Sequence, residues 1–123
     1  MRGDVLLVDP KGIIDTEQLR ATGLRVYNAK DVGDAIARLT EGAVPDVVVV
    51  SVLPERDAVD QFRRRADYAT SIIVVGPDDA ERDSARYSGA DSFLLATDDV
   101  LYEIHRALIL RRSGRRLPWP AIR

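Results

Sequence analysis

PDVVVVSVLP, residues 45–54, sets four consecutive valines behind a Pro-Asp pair and ends them on a small hydroxyl, Ser51, followed by Leu53-Pro54. Branching at Cβ favours extended backbone. A valine run with no polar alternation fits a strand covered on both faces, which is the condition of a parallel sheet with helices on either side. The hydroxyl closes that strand at the edge where folds of this kind do their chemistry.

Working outward, the chain alternates two periods. DVLLV (4–8) is a short apolar strand stopped by Asp9-Pro10, and LRVYNA (24–29), SIIVVG (71–76) and DSFLLA (91–96) read as further strands. Between them lie helical patterns. Residues 13–23 close on Gly23, and 31–42 carry a Val32, Ala35, Ile36, Leu39 stripe and close on Gly42. The third pattern, 56–67, runs through Val59 and Phe62. The fourth, 77–89, is polar, with Pro77 at its start and Gly89 at its end. The fifth, 97–112, reads as a long helix capped by Thr97 with acids in its first turn. Five strands alternating with five helices predict an α/β, doubly wound (βα)5 domain over 1–112 with right-handed crossovers. Residues 113–123, with a glycine and two prolines, read as a linker or tail. In such a sheet the site lies outside the carboxyl ends of the strands. The residues there are Asp9, Ser51, Gly76 and Ala96.

This order of stretches resembles the receiver domain of bacterial two-component response regulators. VLLVDP, RVYNAKDVGDAIARL, PDVVVVSVLP, SIIVVG and GADSFLLAT carry the resemblance over residues 4–112, and the first helix is about a turn short. It implies a flavodoxin-like sheet in the order 2-1-3-4-5. It also implies a pocket from which most of the chemistry is gone. Receivers hold Mg²⁺ with two adjacent acids after strand one, where this chain has Asp9-Pro10. Ser51 stands where the phosphate-accepting aspartate ends strand three. Gly76 replaces a Thr or Ser after strand four. Ala96 and Thr97 replace a lysine and proline after strand five. An aromatic residue in strand five that moves on activation has a match in Phe93.

Phosphoryl transfer needs a nucleophile and cations to offset the charge of the transferring group. A serine with no neighbouring base is a poor nucleophile, and Asp9 alone offers Mg²⁺ a single carboxylate. Ser51 therefore reads as a neutral spacer in place of a repelling carboxylate, with catalysis or modification by a serine kinase as rivals. Asp9 reads as a remnant or as a cap for the next segment. His105 has no second ligand at helical spacing, so no metal site and no cofactor are expected.

The last helix is apolar over more than one face. Val100, Leu101, Ile104 and Leu108 can form a core stripe, while Tyr102, Ile109 and Leu110 project elsewhere. Exposed apolar surface marks interfaces. Receivers commonly pair or contact outputs through helix four, strand five and helix five. The expected working surface is therefore Phe93, Tyr102 and Leu110, for a protein partner, an output domain or a homodimer. The resulting expectation is an atypical receiver acting as a phosphorylation-independent signalling and interaction module rather than an enzyme. The alternative is a small-ligand sensor using the emptied pocket.

Composition sets the bounds. The 123 residues suffice for one domain, 46% are apolar and 31% charged. No run approaches the ~18 apolar residues of a membrane span, and the start lacks a signal-peptide pattern. The absence of cysteine excludes disulfides and fits, weakly, a cytoplasmic protein. Net charge is −2, which argues against a nucleic-acid surface. Residues 111–123 nonetheless carry five arginines and no acid, which leaves −7 for the rest. A solvated helix end explains that run more simply than a phosphate-binding patch.

Overall fold

The valine run is the middle strand of the sheet. A computed structural model describes residues 2–51 and 57–119. Leu53-Pro54 and the start of the third predicted helix lie outside the described residues. The strands are β1 (Gly3–Val8), β2 (Leu24–Ala29), β3 (Val47–Ser51), β4 (Ser71–Gly76) and β5 (Ser92–Leu95), all parallel, in the order β2-β1-β3-β4-β5. Pairing runs Val5 with Val47, Val8 with Val50, Ser51 with Val75 and Gly76 with Leu95. That register brings the carboxyl ends of β1, β3 and β4 to one edge.

The alternation of side chains divides the core in two. Leu6, Val8, Val48, Val50, Ile72, Val74 and Phe93 face α2 (Val32–Thr40), α3 (Ala58–Arg65) and α4 (Arg82–Tyr87). Val5, Leu7, Val47, Val49, Ile73, Val75 and Leu94 face α1 (Thr16–Ala21) and α5 (Val100–Arg111). Both sides of β3 are thus inside the protein, which is why no polar residue interrupts it before Ser51.

Three details differ from the sequence reading. The fourth helix is shorter than 77–89: Asp78 caps a 3-10 turn at Asp79–Glu81, and α4 follows with Ala85 as its one buried residue. So polar a segment has no stripe to bury, and helix length depends on buried stripes more than on propensity. The cap of α5 is Asp99, whose side chain accepts the Tyr102 N–H, and not Thr97. Last, residues 113–119 turn back onto the domain. Gly114 takes a positive φ of 70°, and Arg115 N–H bonds the Leu110 carbonyl. Leu117 is then buried at 4% exposure in the α1/α5 layer, with its N–H donated to Ser71 Oγ. Trp119 packs against the opposite layer. The segment therefore passes under the amino ends of β4 and β5 as a strap.

Candidate functional site

Adjacent ends of β1 and β3 place Asp9 beside Ser51. The serine is fully buried, and its Oγ donates to Asp9 Oδ1 at 2.6 Å; the Val8 carbonyl lies at 3.4 Å. Oδ1 also accepts the Ile13 N–H at 3.1 Å, and Oδ2 accepts the Ile14 N–H at 2.8 Å. Gly12, at a φ of 67°, closes the intervening turn with its N–H on the Asp9 carbonyl. Both carboxylate oxygens are thus engaged in holding the loop that leads to α1. A carboxylate with three donors is well satisfied where it is.

These residues do not fit the Mg²⁺ that the fold family implies. Pro10 supplies no side-chain oxygen, Ser51 is neutral, and Asp9, with three donors already bound, has one acceptor site left. Among the described residues no three His, Asp or Glu side chains converge as metal ligands.

One strand over, Gly76 has a steric reason. A Cβ built there would lie 2.6 Å from Phe93 Cζ, far inside van der Waals contact. The Phe93 ring fills the volume in which a side chain at 76 would stand. It is 1% exposed, and the Arg82 guanidinium lies 4.9 Å from its centroid. That contact has the geometry of a cation–π pair. Ala96 is exposed; its N–H bonds the Gly76 carbonyl, and it helps line a cleft of about 230 Å³ between α1 and α5, with Ile14, Val75 and Val100. Asp9 and Ser51 are brought together, Gly76 is paired with Phe93, and Ala96 opens on a different space.

The expected interaction face needs correction. Phe93 is interior and presents no surface. Leu110 is half-buried against the α1/α5 layer. Tyr102 is exposed at 63%, and Ile109 at 55% is the large apolar residue that accompanies it on α5. His105 sits mid-helix, with its Nε2 buried and without a hydrogen-bond partner among the described residues.

Two polar clusters were not read from the sequence. Asp91, 7% exposed, accepts from the Ile72 N–H at 2.8 Å and from Arg63 at 3.0 Å, with Arg116 of the strap at 3.3 Å. Burial pushes the Asp91 carboxyl up from its ordinary range despite the Ile72 amide and the two arginines, and burial likewise lowers Arg63. Glu103, buried in α5, takes the Ser92 hydroxyl at 2.5 Å and pairs with Arg106. A lone acid at a strand start or on an amphipathic helix gives no warning of partners such as Ser92 and Arg63, which lie 11 and 28 residues away.

The sequence matches no protein-family model and no curated protein. Solved structures do match. A CheY-like receiver domain protein from Methanospirillum hungatei is 18% identical, with 93% of this chain and 99% of that one aligned at a TM-score of 0.77. A LuxR family DNA-binding response regulator from Silicibacter pomeroyi is 22% identical over 95% of each chain, TM-score 0.73. The chain has the receiver-domain fold. A LuxR family two-component response regulator from Aurantimonas is 26% identical over 94% of this chain and 89% of that one, TM-score 0.69. Within that receiver fold, the corner after β1 and β3 is closed by the chain's own hydrogen bonds.

Proposed function

We propose that this chain is an atypical receiver that signals without an aspartyl phosphate, and that it does so by contact. The observation that carries the reading is the 2.6 Å bond from Ser51 to Asp9. The bond does give Ser51 the neighbouring base that the sequence did not show, but the hydroxyl is fully buried, and the carboxylate it meets is also committed to the Ile13 and Ile14 amides. The Phe93 ring against Gly76 supports it, because the volume is filled and leaves no seat for a phosphate-binding hydroxyl. Such a protein is not an enzyme and needs no cofactor. Its natural setting is the cytoplasm, in keeping with described helices too short and polar to cross a membrane.

The contacts fall on the α4–β5–α5 side, with Tyr102 and Ile109 as the exposed apolar residues and Leu110 beneath. The similarity to two LuxR family response regulators supports an output domain as one natural partner. A small-ligand sensor is less well supported. Ser51 is buried and bonded, and the space at Gly76 is occupied.

The test is incubation with Mg²⁺ and a small acyl-phosphate donor, read by intact-mass spectrometry. No adduct is expected. A covalent phosphate lost on Ser51→Ala or Asp9→Asn defeats the reading.

A further inference from the structure

Beside the edge strand β2, two exposed apolar residues and an arginine surround one hollow. Tyr27 lies next to Leu6 in the β1–β2 register, which puts it on the α2 face of the sheet. On that face α2 ends at Thr40, and the Ala43 N–H bonds the Arg38 carbonyl. The chain therefore turns out from the helix through Ala43 and Val44 before β3 begins, and the end of Tyr27 is left without cover. Tyr27 and Val44 are both exposed. The gap between the helix end, this turn and the two strands has a volume of about 350 Å³ and is lined chiefly by Asp4, Leu6, Tyr27, Arg38, Ala43 and Val44. Asp4 and Leu6 place it toward the amino end of β1, away from the corner of Asp9 and Ser51.

The two charged groups in the hollow are held differently. Asp4 Oδ1 takes Arg25 Nε at 2.7 Å, so its charge is offset. Arg38 is held loosely. Its Nε is enclosed without a hydrogen bond, 3.5 Å from Asp34 Oδ2, and its Nη2 stands 3.4 Å from the Asn28 carbonyl. Ordinary N–H···O bonds run about 2.7–3.2 Å. A guanidinium carries several donors, and much of the Arg38 side chain is exposed, so its terminal nitrogens have donors to spare. An apolar hollow of this size with few polar groups is the usual form of a small-molecule site. We propose that it binds a small planar monocarboxylate, an aromatic or heteroaromatic acid of one or two rings. The carboxylate lies on the terminal nitrogens of Arg38, whose flat fork matches it. The ring covers the exposed apolar surface of Tyr27 and Val44. Charge fixes the class. An apolar cation would meet Arg38, and a phosphate dianion would bring a second negative charge toward Asp4. The inference stands independently of whether the protein signals by contact.

Sodium benzoate, titrated into the isotope-labelled whole chain at constant ionic strength and followed by two-dimensional NMR, tests it. The expected result is saturable shifts centred on the Tyr27, Ala43 and Val44 amides and the Arg38 Nε–H, with a Kd on the order of 1 mM for so small a ligand. Benzyl alcohol and benzylamine keep the ring and lose the negative charge. Each is expected to bind at least roughly tenfold more weakly, the effect of losing one charged hydrogen bond. Arg38→Gln should weaken benzoate by about the same factor and leave benzyl alcohol unchanged. Ala43→Phe, which fills the mouth of the hollow, should weaken both. The amide spectra of the two variants report whether they are folded, and the ligand series needs no variant at all. Shifts that fail to saturate or that spread evenly over the surface overturn the proposal. So does benzylamine binding as well as benzoate, or full benzoate affinity in a folded Arg38→Gln. Shifts on this face that depend on protein concentration without benzoate would make it a contact between copies and overturn the proposal too. None of these results bears on the mass measurement above, so the two readings fail separately.

Discussion

The two ends of the sheet treat their carboxylates in opposite ways. At the carboxyl ends of the strands, Asp9 is satisfied by a hydroxyl and by amides four and five residues away. It holds a loop and pairs with no cation among the described residues. At the amino ends, Asp91 gathers Arg63 from α3, the Ile72 amide of β4 and Arg116 of the strap. Arg63 goes on to the Thr70 and Asp67 carbonyls, and Arg111 bridges Asp46 and Asp67. At the end where active receivers do chemistry, one neutral hydroxyl crosses from β3 to Asp9 and the other two donors are local amides. The opposite end ties together segments far apart in sequence. The charged network that ties the amino ends of the strands together involves neither Asp9 nor Ser51.

The largest effect should come from breaking the far end. Asp91→Ala leaves Arg63 largely buried without its carboxylate and strands the Ile72 amide. Removing one member of a buried pair typically costs about 3–5 kcal/mol. A thermal midpoint lowered by roughly 10 °C or more is expected. A shift under about 3 °C would mean that water serves Arg63 as well as Asp91 does. The strap comes next. Leu117→Ala empties a buried site and should cost about 2–4 kcal/mol, read by urea denaturation. Ending the chain after Arg112 should cost at least as much, since Arg116 goes too. Unchanged stability on truncation would return residues 113–119 to the status of a tail.

At the near end the effects are smaller. Gly76→Thr restores the residue type that active receivers carry, but it drives a Cβ into the Phe93 ring. Overpacking of this kind costs about 1–3 kcal/mol. Phe93→Leu, which shortens the side chain, should recover part of it, and a double-mutant cycle measures the coupling. Additive effects would show that ring and glycine are independent. Ser51→Ala should cost only about 1 kcal/mol, because Asp9 keeps both amides.

The sequence shows strands and helices clearly where the apolar period is strong, as in the valine run of 47–50 and the Val32–Leu39 stripe. It shows them poorly where the pattern is polar, and the fourth helix loses its first turn for that reason. At the site, identities were legible and geometry was not. Ser51 and Gly76 could be seen to depart from active receivers. That Ser51 would bond Asp9, or that Phe93 would occupy the space beside Gly76, depends on side-chain packing across strands 17 to 42 residues apart. Phe93 is interior because β5, like β3, is covered on both faces, so neither side of its alternation reaches solvent. Serine at 92 and leucine at 94 face one layer and Phe93 the other, with α-helices over both.

Acidity sharpens the contrast by the least. Burial holds the Asp91 carboxyl above its ordinary 3.8, whereas hydrogen bonds from Arg111 and the Ala69 amide hold Asp67 below it. For Asp91 the native state keeps its proton after the unfolded chain has lost it. Stability from this group is therefore fully present below pH 3.8 and declines as pH rises through the raised native value. For Asp67 the sign is reversed: its contribution is present above 3.8 and is lost as pH falls through the lowered native value. Asp91→Asn removes the first contribution and leaves the second. The stability gap between wild type and Asp91→Asn should accordingly be wider at about pH 3.5 than at pH 7, by chemical denaturation at each pH. A gap that stays constant, or widens toward neutrality, would show that the two arginines outweigh burial and that Asp91 is ionised as readily in the folded protein as in water.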